Sequence, residues 1–356
     1  MSTPWDLMRE RVPKLLYDRD EWTRRMMRWH FSPETGSPFW LRRAADLLFD
    51  PIHDILSYDA LACFGAFDIA WLRAATARDL LPRGFTGRPF RVVETGGTTG
   101  APCRVVDVTR ADYDVQQYRV MLEVRGLDGG DVLAMTPSGP HAYGYFVSKL
   151  ADSWAGATYF IDFDPRWVKN LVRHGQSTDG YIAHLVTQTA TLLAAERPSL
   201  LFTTSKLLLT LATELPKPLE EYGVHAVCTG GTSCTAEETR YLRAEHLNGV
   251  RWIDTYGNTL MGHALQADGP VPSYHLPPPF GFVEVVDPAN PDQPVGVGER
   301  GRVRVTTLLE DLFIPNLLER DSAVRTGPHP WLPWDGLRHV LPYVSQDSQD
   351  STEGVY

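Results

Sequence analysis

Apolar residues recur at every third or fourth position through the first part of the chain, and this spacing predicts helices. Leu7, Val12, Leu15 and Leu16 stand among charged residues between positions 5 and 29, as in amphipathic surface helices. Positions 38–49 and 52–64 show the same spacing with irregular ends. We therefore expect residues 1–90 to form an N-terminal helical region.

From residue 91 onward, short apolar runs alternate with stretches of helical spacing. Strands are predicted over residues 131–136, 157–162, 199–204, 225–229 and 250–255. Helices are predicted over residues 109–124, 147–154, 167–174, 205–215 and 236–245, whereas residues 181–186 have a mixed pattern. Alternation of strand and helix is typical of a parallel sheet with helices on its faces, so residues 91–275 are expected to form an α/β core.

The pattern changes again after residue 280. Alternating strands over 281–287 and 298–307, joined by a Pro-rich turn, predict a small antiparallel β subdomain within residues 276–340. Residues 341–356 are mostly polar and lack periodicity, which predicts a disordered tail.

Composition narrows the class of partner. A chain of 356 residues with 43% hydrophobic content can bury a large core, and its length suggests about two domains or subdomains. The net charge of -10 and the lack of a long basic run argue against nucleic acid, because phosphate-backbone binding needs clustered Lys and Arg. We therefore expect a small-molecule partner.

The cysteines and the N-terminal residues indicate the cellular compartment of the protein. The four cysteines are too few for a disulfide framework and show no zinc-type spacing, so no metal ligands are predicted from them. The first residues mix charges and lack the apolar core of a signal peptide, and no run of about eighteen apolar residues occurs. The sequence therefore predicts a cytoplasmic protein with no membrane partner.

A glycine- and threonine-rich stretch lies between the apolar pairs Val92-Val93 and Val105-Val106, which predicts a loop joining two strands. Its three glycines let main-chain N–H groups approach an anion, and its three threonines add hydroxyl donors. It lacks the Lys-Ser/Thr pair of a Walker loop. A phosphate-binding loop and a plain hairpin connection both fit the pattern.

Three further segments are candidate binding elements. Two polar loops, over residues 229–233 and 254–259, follow predicted strands, and ligands of open α/β sheets bind beyond the carboxyl ends of strands. The aromatic segment over residues 141–146 suits a flat ligand, although ordinary packing at a helix start explains it equally well. Together the Gly/Thr-rich loops favour a nucleotide-like ligand.

Four motifs in order resemble the adenylate-forming superfamily of acyl-CoA synthetases, peptide-synthetase adenylation domains and luciferases. They are the phosphate loop at 95–102, the aromatic motif at 142–146, Tyr-Gly-Asn-Thr at 256–259, and Gly-Glu-Arg-Gly at 298–301 with Val-Thr-Thr at 305–307. Within the superfamily, the phenylacetate-CoA ligase branch is most similar. The resemblance implies the acyl-CoA-synthetase-like large N-terminal domain, an α/β fold of layered parallel sheets with helices and a small β subdomain.

The resemblance also implies roles for individual residues. Residues Thr95, Thr98, Thr99 and Arg104 would act on the ATP phosphates. The nucleotide would contact Gly96, Gly97, Gly100, Gly230, Gly231, Thr232, Asp254, Tyr256, Gly257, Thr259, Asp321 and Arg325. The acid pocket would be formed by Tyr143, Gly144, Tyr145 and Phe146.

Three positions depart from the family pattern, and the first is Gly96, which stands in place of serine in the phosphate loop. The lysine of the phosphate loop is Cys103 here, with Arg104 beside it as a substitute cation, and the magnesium-binding glutamate is Leu260. A leucine cannot ligate a hard cation that needs oxygen donors. ATP is therefore the expected cofactor, and Mg²⁺ would have to be held by phosphate, water or another carboxylate.

Length is a further departure, since only about thirty residues follow Asp321 and the mobile C-terminal domain of the family is expected to be absent. This truncated layout is similar to that of branch members from phenazine-antibiotic biosynthesis, which act on aryl acids such as griseoluteate. The resemblance implies a ligase that converts an aromatic carboxylic acid to its acyl-adenylate, lacks complete CoA-ligase activity and passes the product to a reductase or acyl-transfer partner. Homodimers are common in the branch, which implies a homodimer. A non-catalytic nucleotide- or aryl-acid-binding protein is the alternative.

Overall fold

The computed structural model describes residues 2–97, 101–232, 234–269 and 271–344. The chain divides into two compact units. Unit one comprises the described residues up to Met121 and from Asn258 onward, and unit two runs from Leu122 to Gly257. The division into residues 1–90, 91–275, 276–340 and 341–356 stays a prediction. It was based on local sequence patterns, whereas the two units are defined by contacts between residues. The predicted disordered tail falls almost entirely outside the described residues.

The regular elements are numbered in chain order. The helices are α1 Pro4–Arg11, α2 Arg19–Phe31, α3 Pro38–Arg43, α4 Ala70–Ala74, α5 Ala77–Leu80, α6 Arg110–Glu123, α7 Ala142–Asp152, α8 Pro165–Arg173, α9 Asp179–Glu196, α10 Ser205–Glu214 and α11 Ala236–Tyr241. The strands are β1 Arg91–Glu94, β2 Arg104–Asp107, β3 Val132–Ala134, β4 Thr158–Phe160, β5 Leu200–Thr203, β6 Ala226–Gly230, β7 Arg251–Asn258, β8 Gly262–Ala267, β9 Ser273–His275, β10 Gly281–Asp287, β11 Asn290–Pro294, β12 Arg300–Leu308, β13 Phe313–Thr326 and β14 Gly336–Pro342.

The N-terminal part of unit one is helical, as predicted. Thr3 and Asp6 form a capping box at the start of α1, which satisfies two main-chain N–H groups that the helix leaves without partners. The segment over residues 52–64 is an exception, because it consists of turns and a short 3₁₀ helix, Asp59–Phe64. Its apolar spacing reflects burial of separate side chains such as Ile55 and Leu61, and not a continuous helix face.

The N-terminal helices of unit one are anchored to the main chain between β12 and β13. The indole N–H groups of Trp22 and Trp29 donate to the carbonyl oxygens of Leu308 and Glu310, at 2.8 and 2.7 Å. The Trp40 ring packs 4.8 Å from that of Phe313, between ring centroids. Aromatic rings with hydrogen-bonded N–H groups contribute apolar contact area, and the hydrogen bond fixes the orientation of the ring. These helices are therefore part of the core of unit one.

The strands of unit one are antiparallel. β1 and β2 form a hairpin, and the remaining strands are ordered β11-β10-β12-β13-β14-β9-β8. The predicted antiparallel subdomain is therefore present in β10 to β12. The sequence did not predict β13, the longest strand, or β14, which pairs with it.

Unit two contains the parallel strands, in the order β7-β6-β5-β3-β4. Its strands and helices confirm the predicted βα alternation, with two corrections. Residues 181–186 lie inside α9, where a weakly amphipathic helix obscures the pattern. Residues 256–258 continue β7, which ends at Asn258, and are not a loop.

Leu133, Phe163, Leu208 and Val227 are among the fully buried side chains of the core of unit two. In the described part of the chain, no helix is both long and apolar enough to cross a membrane.

Candidate functional site

The glycine-rich loop of unit one joins β1 to β2, as predicted. The Thr95 N–H donates to the Cys103 carbonyl oxygen, and the Cys103 N–H donates to Thr95 Oγ1, both at 2.9 Å. Gly97 has φ +63°, a left-handed conformation that glycine adopts without strain. The hairpin therefore holds residues 95–97 at the end of two paired strands, while Thr98, Thr99 and Gly100 lie outside the described residues. The phosphate role of the loop stays a prediction.

The two residues that follow this loop differ in environment. Cys103 is 2% exposed, and its sulfur lies 3.9 Å from the Ile69 carbonyl oxygen. The Arg104 side chain is 56% exposed, and its Nε donates to Glu94 Oε1 on the paired strand at 3.0 Å. The predicted substitute cation is thus held in a cross-strand ion pair, which partly neutralises its charge.

The end of the Tyr-Gly-Asn-Thr motif is held firmly in unit one. Arg110, which is buried, donates to the carbonyl oxygens of Asn258, at 3.2 Å, and Thr259. The Asn258 side chain donates to Glu319 at 2.9 Å and accepts the Leu260 N–H at 2.8 Å. Arg110 was not predicted as a site residue, and nothing in its local sequence indicates that it would clamp a segment about 150 residues away.

Leu260 is 6% exposed, so it presents a buried hydrocarbon side chain at the position where the resemblance implies a magnesium-binding glutamate. No group of three or more His, Cys, Asp or Glu side chains suited to a metal ion occurs within residues 2–97, 101–232, 234–269 and 271–344. The Leu260 side chain has no oxygen donor, so it cannot itself ligate Mg²⁺.

Asp321 and Arg325 both lie on β13. Burial, together with the charge of Asp321, raises the pKa of the neighbouring Glu319, as expected for two carboxylates on one strand. Arg325 donates to Asp335 through Nε and Nη2, at 3.0 and 2.6 Å, and to the Val295 carbonyl oxygen through Nη1 at 2.6 Å. These bonds tie the strand to its surroundings, so a structural role accounts for Arg325 in this conformation.

In unit two, polar groups gather at the carboxyl ends of β5, β6 and β7. Thr229 Oγ1 donates to Asp254 Oδ1 at 2.5 Å and accepts from the Trp252 indole N–H at 2.9 Å. The Tyr143 hydroxyl donates to the Thr203 carbonyl oxygen at 3.3 Å. Burial holds the pKa of Tyr143 well above its usual value, so the phenol keeps its proton at neutral pH.

The loop after β6 approaches these groups closely. A Cβ atom added to Gly230 would lie 3.6 Å from the Tyr143 hydroxyl and 3.4 Å from the Thr255 carbonyl oxygen. Gly231 has φ +84°, and Thr232 Oγ1 accepts the Lys206 N–H at 3.2 Å. The structure therefore brings several predicted residues of unit two to one edge of the sheet: Tyr143, Gly230, Gly231, Thr232, Asp254, and the half-buried Tyr256 and Gly257.

Two threonine hydroxyls at the same edge were missed by the sequence analysis. Thr136, after β3, and Thr203, at the end of β5, are fully buried, and neither hydroxyl has a hydrogen-bond partner within the described chain. Buried hydroxyl groups normally have partners, so these are candidate contacts for water or a polar ligand group. Single threonines after apolar runs are common in sequences, so the pattern did not identify these two residues as candidate site residues.

The aromatic motif lies in the first turns of α7. Phe146 is 3% exposed and packs on Phe202 with ring centroids 6.5 Å apart. A Cβ atom on Gly144 would lie 2.9 Å from the Pro137 carbonyl oxygen, so protein backbone occupies the space beside this glycine. Packing at the helix start therefore explains Gly144 and Phe146, whereas Tyr143 and Tyr145 are only partly buried.

Comparison with known proteins gives fold relatives only. No protein-family description matches the chain, and no curated protein matches it. An open conformation of 2-hydroxyisobutyryl-CoA ligase in complex with 2-HIB-AMP and CoA matches with a TM-score of 0.66 and 16% identity, covering 94% of this chain and 76% of that one. The same ligase in the postadenylation state with R3-HIB-AMP has a TM-score of 0.69 and 15% identity, covering 94% and 68% of the two chains.

Its thioesterification state, with 2-HIB-AMP and CoA, has a TM-score of 0.65 and 17% identity, covering 95% of this chain and 69% of that one. The described chain thus has an acyl-CoA-synthetase-like fold, as predicted from the order of its motifs.

Proposed function

We propose that the protein activates a carboxylic acid with ATP, forming the acyl-adenylate and releasing pyrophosphate. The observation that carries this proposal is the fold similarity over 94% of the chain to a ligase whose structures contain an acyl-adenylate. The hairpin that presents residues 95–97 and the polar edge of unit two give further support, since both lie at motifs typical of adenylation.

The reaction needs no protein nucleophile. A carboxylate oxygen of the acid attacks the α-phosphorus of ATP, the bond from that phosphorus to the bridging oxygen breaks, and pyrophosphate leaves with the electron pair. The protein positions the two reactants and stabilises the developing charge. Main-chain N–H groups of the glycine loop would bind phosphate oxygens, and the Asp321 carboxylate would accept from ribose hydroxyls.

We further propose that the substrate is an aromatic acid, a class that includes phenazine-type acids. We also propose that a reductase or acyl-transfer enzyme accepts the product. Tyr143 and Tyr145 support an aromatic substrate, because both rings are only partly buried at the start of α7. Offset stacking on such rings contributes roughly 0.5–1.5 kcal/mol beyond burial. An alkyl chain gains no such contribution.

A second candidate function is binding of nucleotide or aryl acid without catalysis. It is favoured by the buried, chemically inert side chains at two family positions, Cys103 in place of lysine and Leu260 in place of glutamate. A binding protein needs neither charge neutralisation at the phosphates nor a metal ligand.

Exchange of labelled pyrophosphate into ATP distinguishes the two functions. An adenylating enzyme should show exchange that depends on an added acid, highest with benzoate-like or phenazine-type acids. Medium-chain fatty acids provide the comparison for the substrate class. Binding of ATP by calorimetry with no exchange for any acid would favour the binding protein.

A further inference from the structure

A small cavity in unit one is lined by buried residues from helices α2 to α5 and from the chain where β12 leads into β13. Three of these residues are polar, His30, Ser37 and Asp311, and each is at most 2% exposed. The cavity offers the centre of a water molecule about 10 Å³. This volume is about the least that holds one water, and it is too small for a larger ligand.

His30 has a hydrogen-bond acceptor that the protein leaves without a partner. Its Nε2 lies 2.7 Å from the Leu309 carbonyl oxygen, which can only accept, so Nε2 carries the ring proton. Burial lowers the pKa of His30 to about 4, so the ring is neutral at neutral pH and Nδ1 has a lone pair. Nδ1 is buried and has no hydrogen-bond partner within the described chain. Buried polar atoms normally have a partner.

Asp311, which lines the same cavity, has a second acceptor without a partner. Its Oδ2 accepts the main-chain N–H groups of Val108, Thr109 and Arg110, at 2.8, 2.7 and 3.2 Å. Its Oδ1 is buried and has no hydrogen-bond partner among the described residues. His30 Nδ1 and Asp311 Oδ1 therefore do not bond to each other, although both side chains line one cavity.

We propose that this cavity is a binding site for one water molecule, which bridges His30 Nδ1 and Asp311 Oδ1. A water molecule has two hydrogens and can donate one to each of two acceptors. Because water also accepts, the bridge forms whether or not Asp311 carries a proton. Ser37 Oγ accepts the Trp40 N–H at 3.3 Å and has its own hydrogen to donate to the oxygen of the water. Three such bonds are typical of a buried water.

The bridge connects α2 to the start of α6. Asp311 accepts N–H groups at that helix start, and Arg110, the first residue of α6, donates to the carbonyl oxygens of Asn258 and Thr259. A carboxyl group with both oxygens bonded has a fixed orientation, so the water positions the group that holds the start of α6. The site is independent of the proposed adenylation.

A crystal structure of the full chain at neutral pH, at a resolution that shows ordered water, tests the site. One water should lie about 2.7–3.2 Å from both His30 Nδ1 and Asp311 Oδ1. NMR of the histidine ring nitrogens should show that Nδ1 of His30 carries no proton. A cavity without water, a direct bond between His30 and Asp311, or a protonated Nδ1 would overturn the proposal.

Hydrogen exchange tests the link to α6. His30→Phe removes Nδ1 and keeps a ring at the position that stacks on Phe313. It should lower the protection of the amides of residues 109 and 110 about tenfold relative to the amides of β12, the effect expected for about one lost hydrogen bond. Ser37→Ala removes a partner of the water but leaves the bond from His30 to Leu309, and it should lower the same protection by a smaller factor.

Thr23→Val is the matched control in α2. The Thr23 hydroxyl is equally buried but donates within its own helix, to the Arg19 carbonyl oxygen, so protection at residues 109 and 110 should stay unchanged. Thermal melts confirm that each variant is folded. A fall of equal size in β12, or a similar fall in Thr23→Val, would overturn the link between the water and α6.

Discussion

Asp107, at the end of β2, provides a test of the electrostatics around the start of α6. Burial raises the pKa of Asp107 to about 6, and the charge of the neighbouring Asp311 acts in the same direction. The charge of Arg110 and the Ala111 N–H, 3.3 Å from Asp107 Oδ1, only partly compensate. The folded protein therefore holds this proton more tightly than the unfolded chain, whose reference pKa is 3.8.

The sign and size of the effect follow from linkage. An acid with a raised pKa in the folded state lowers the free energy of unfolding as pH rises from about 4 to about 6, and the loss persists above pH 6. A difference of about two pH units corresponds to about 3 kcal/mol. Because the Asp107 side chain is partly exposed, solvent screening reduces the expected loss to about 2 kcal/mol.

The variant Asp107→Asn removes the titrating group and keeps an oxygen acceptor for the Ala111 N–H. It should match the wild type at pH 4 and be more stable by about 2 kcal/mol at pH 8. Urea unfolding at half-unit pH steps measures the difference, and Asp112→Asn, an exposed position in the first turn of α6, is the control. A difference between Asp107→Asn and the wild type that stays constant from pH 4 to pH 8 would refute the reasoning.

Four further predictions concern the buried histidine and the predicted site. Burial lowers the pKa of His30 to about 4, so stability is lost as pH falls from 6.5, and His30→Gln should remove about 3 kcal/mol of that acid loss in urea titrations. Gly97→Val forces a branched side chain into a left-handed backbone and should abolish ATP binding by calorimetry in a folded protein. Asp321→Ala should weaken ATP binding by about 1.5–3 kcal/mol, and equal binding of ATP and its dideoxy analogue would contradict a ribose contact. Tyr145→Ala should change which acids raise the melting temperature with ATP present; a lower melting temperature with an unchanged acid preference would mean that the ring only packs.

The regular elements of unit two could be predicted because their signals are local. A buried parallel strand appears as a short apolar run and a helix as apolar spacing of three to four residues, so the βα order is visible without any tertiary contact. The loop between β1 and β2 was predicted for the same reason, since glycines and threonines lie between two apolar pairs. The order of the motifs then predicted the fold.

Strand pairing decided which strands could not be predicted from the sequence. β13 and β14 contain polar and charged residues such as Asp321 and Arg338, and they form strands because β13 pairs with β12 and β14 pairs with β13. Residues 256–258 are likewise part of a strand, β7, although their composition is that of a loop.

The partners of the charged residues were likewise set by tertiary structure. The roles of Arg104 and Arg325 toward phosphate or nucleotide stay predictions, and the fold also places Glu94 and Asp335 within hydrogen-bonding distance of them. Arg73 is brought to the Ala101 carbonyl oxygen across 28 residues of chain. A charged side chain has no local signal for its partner, because a Coulomb interaction or hydrogen bond depends on distance in space and not on separation along the chain.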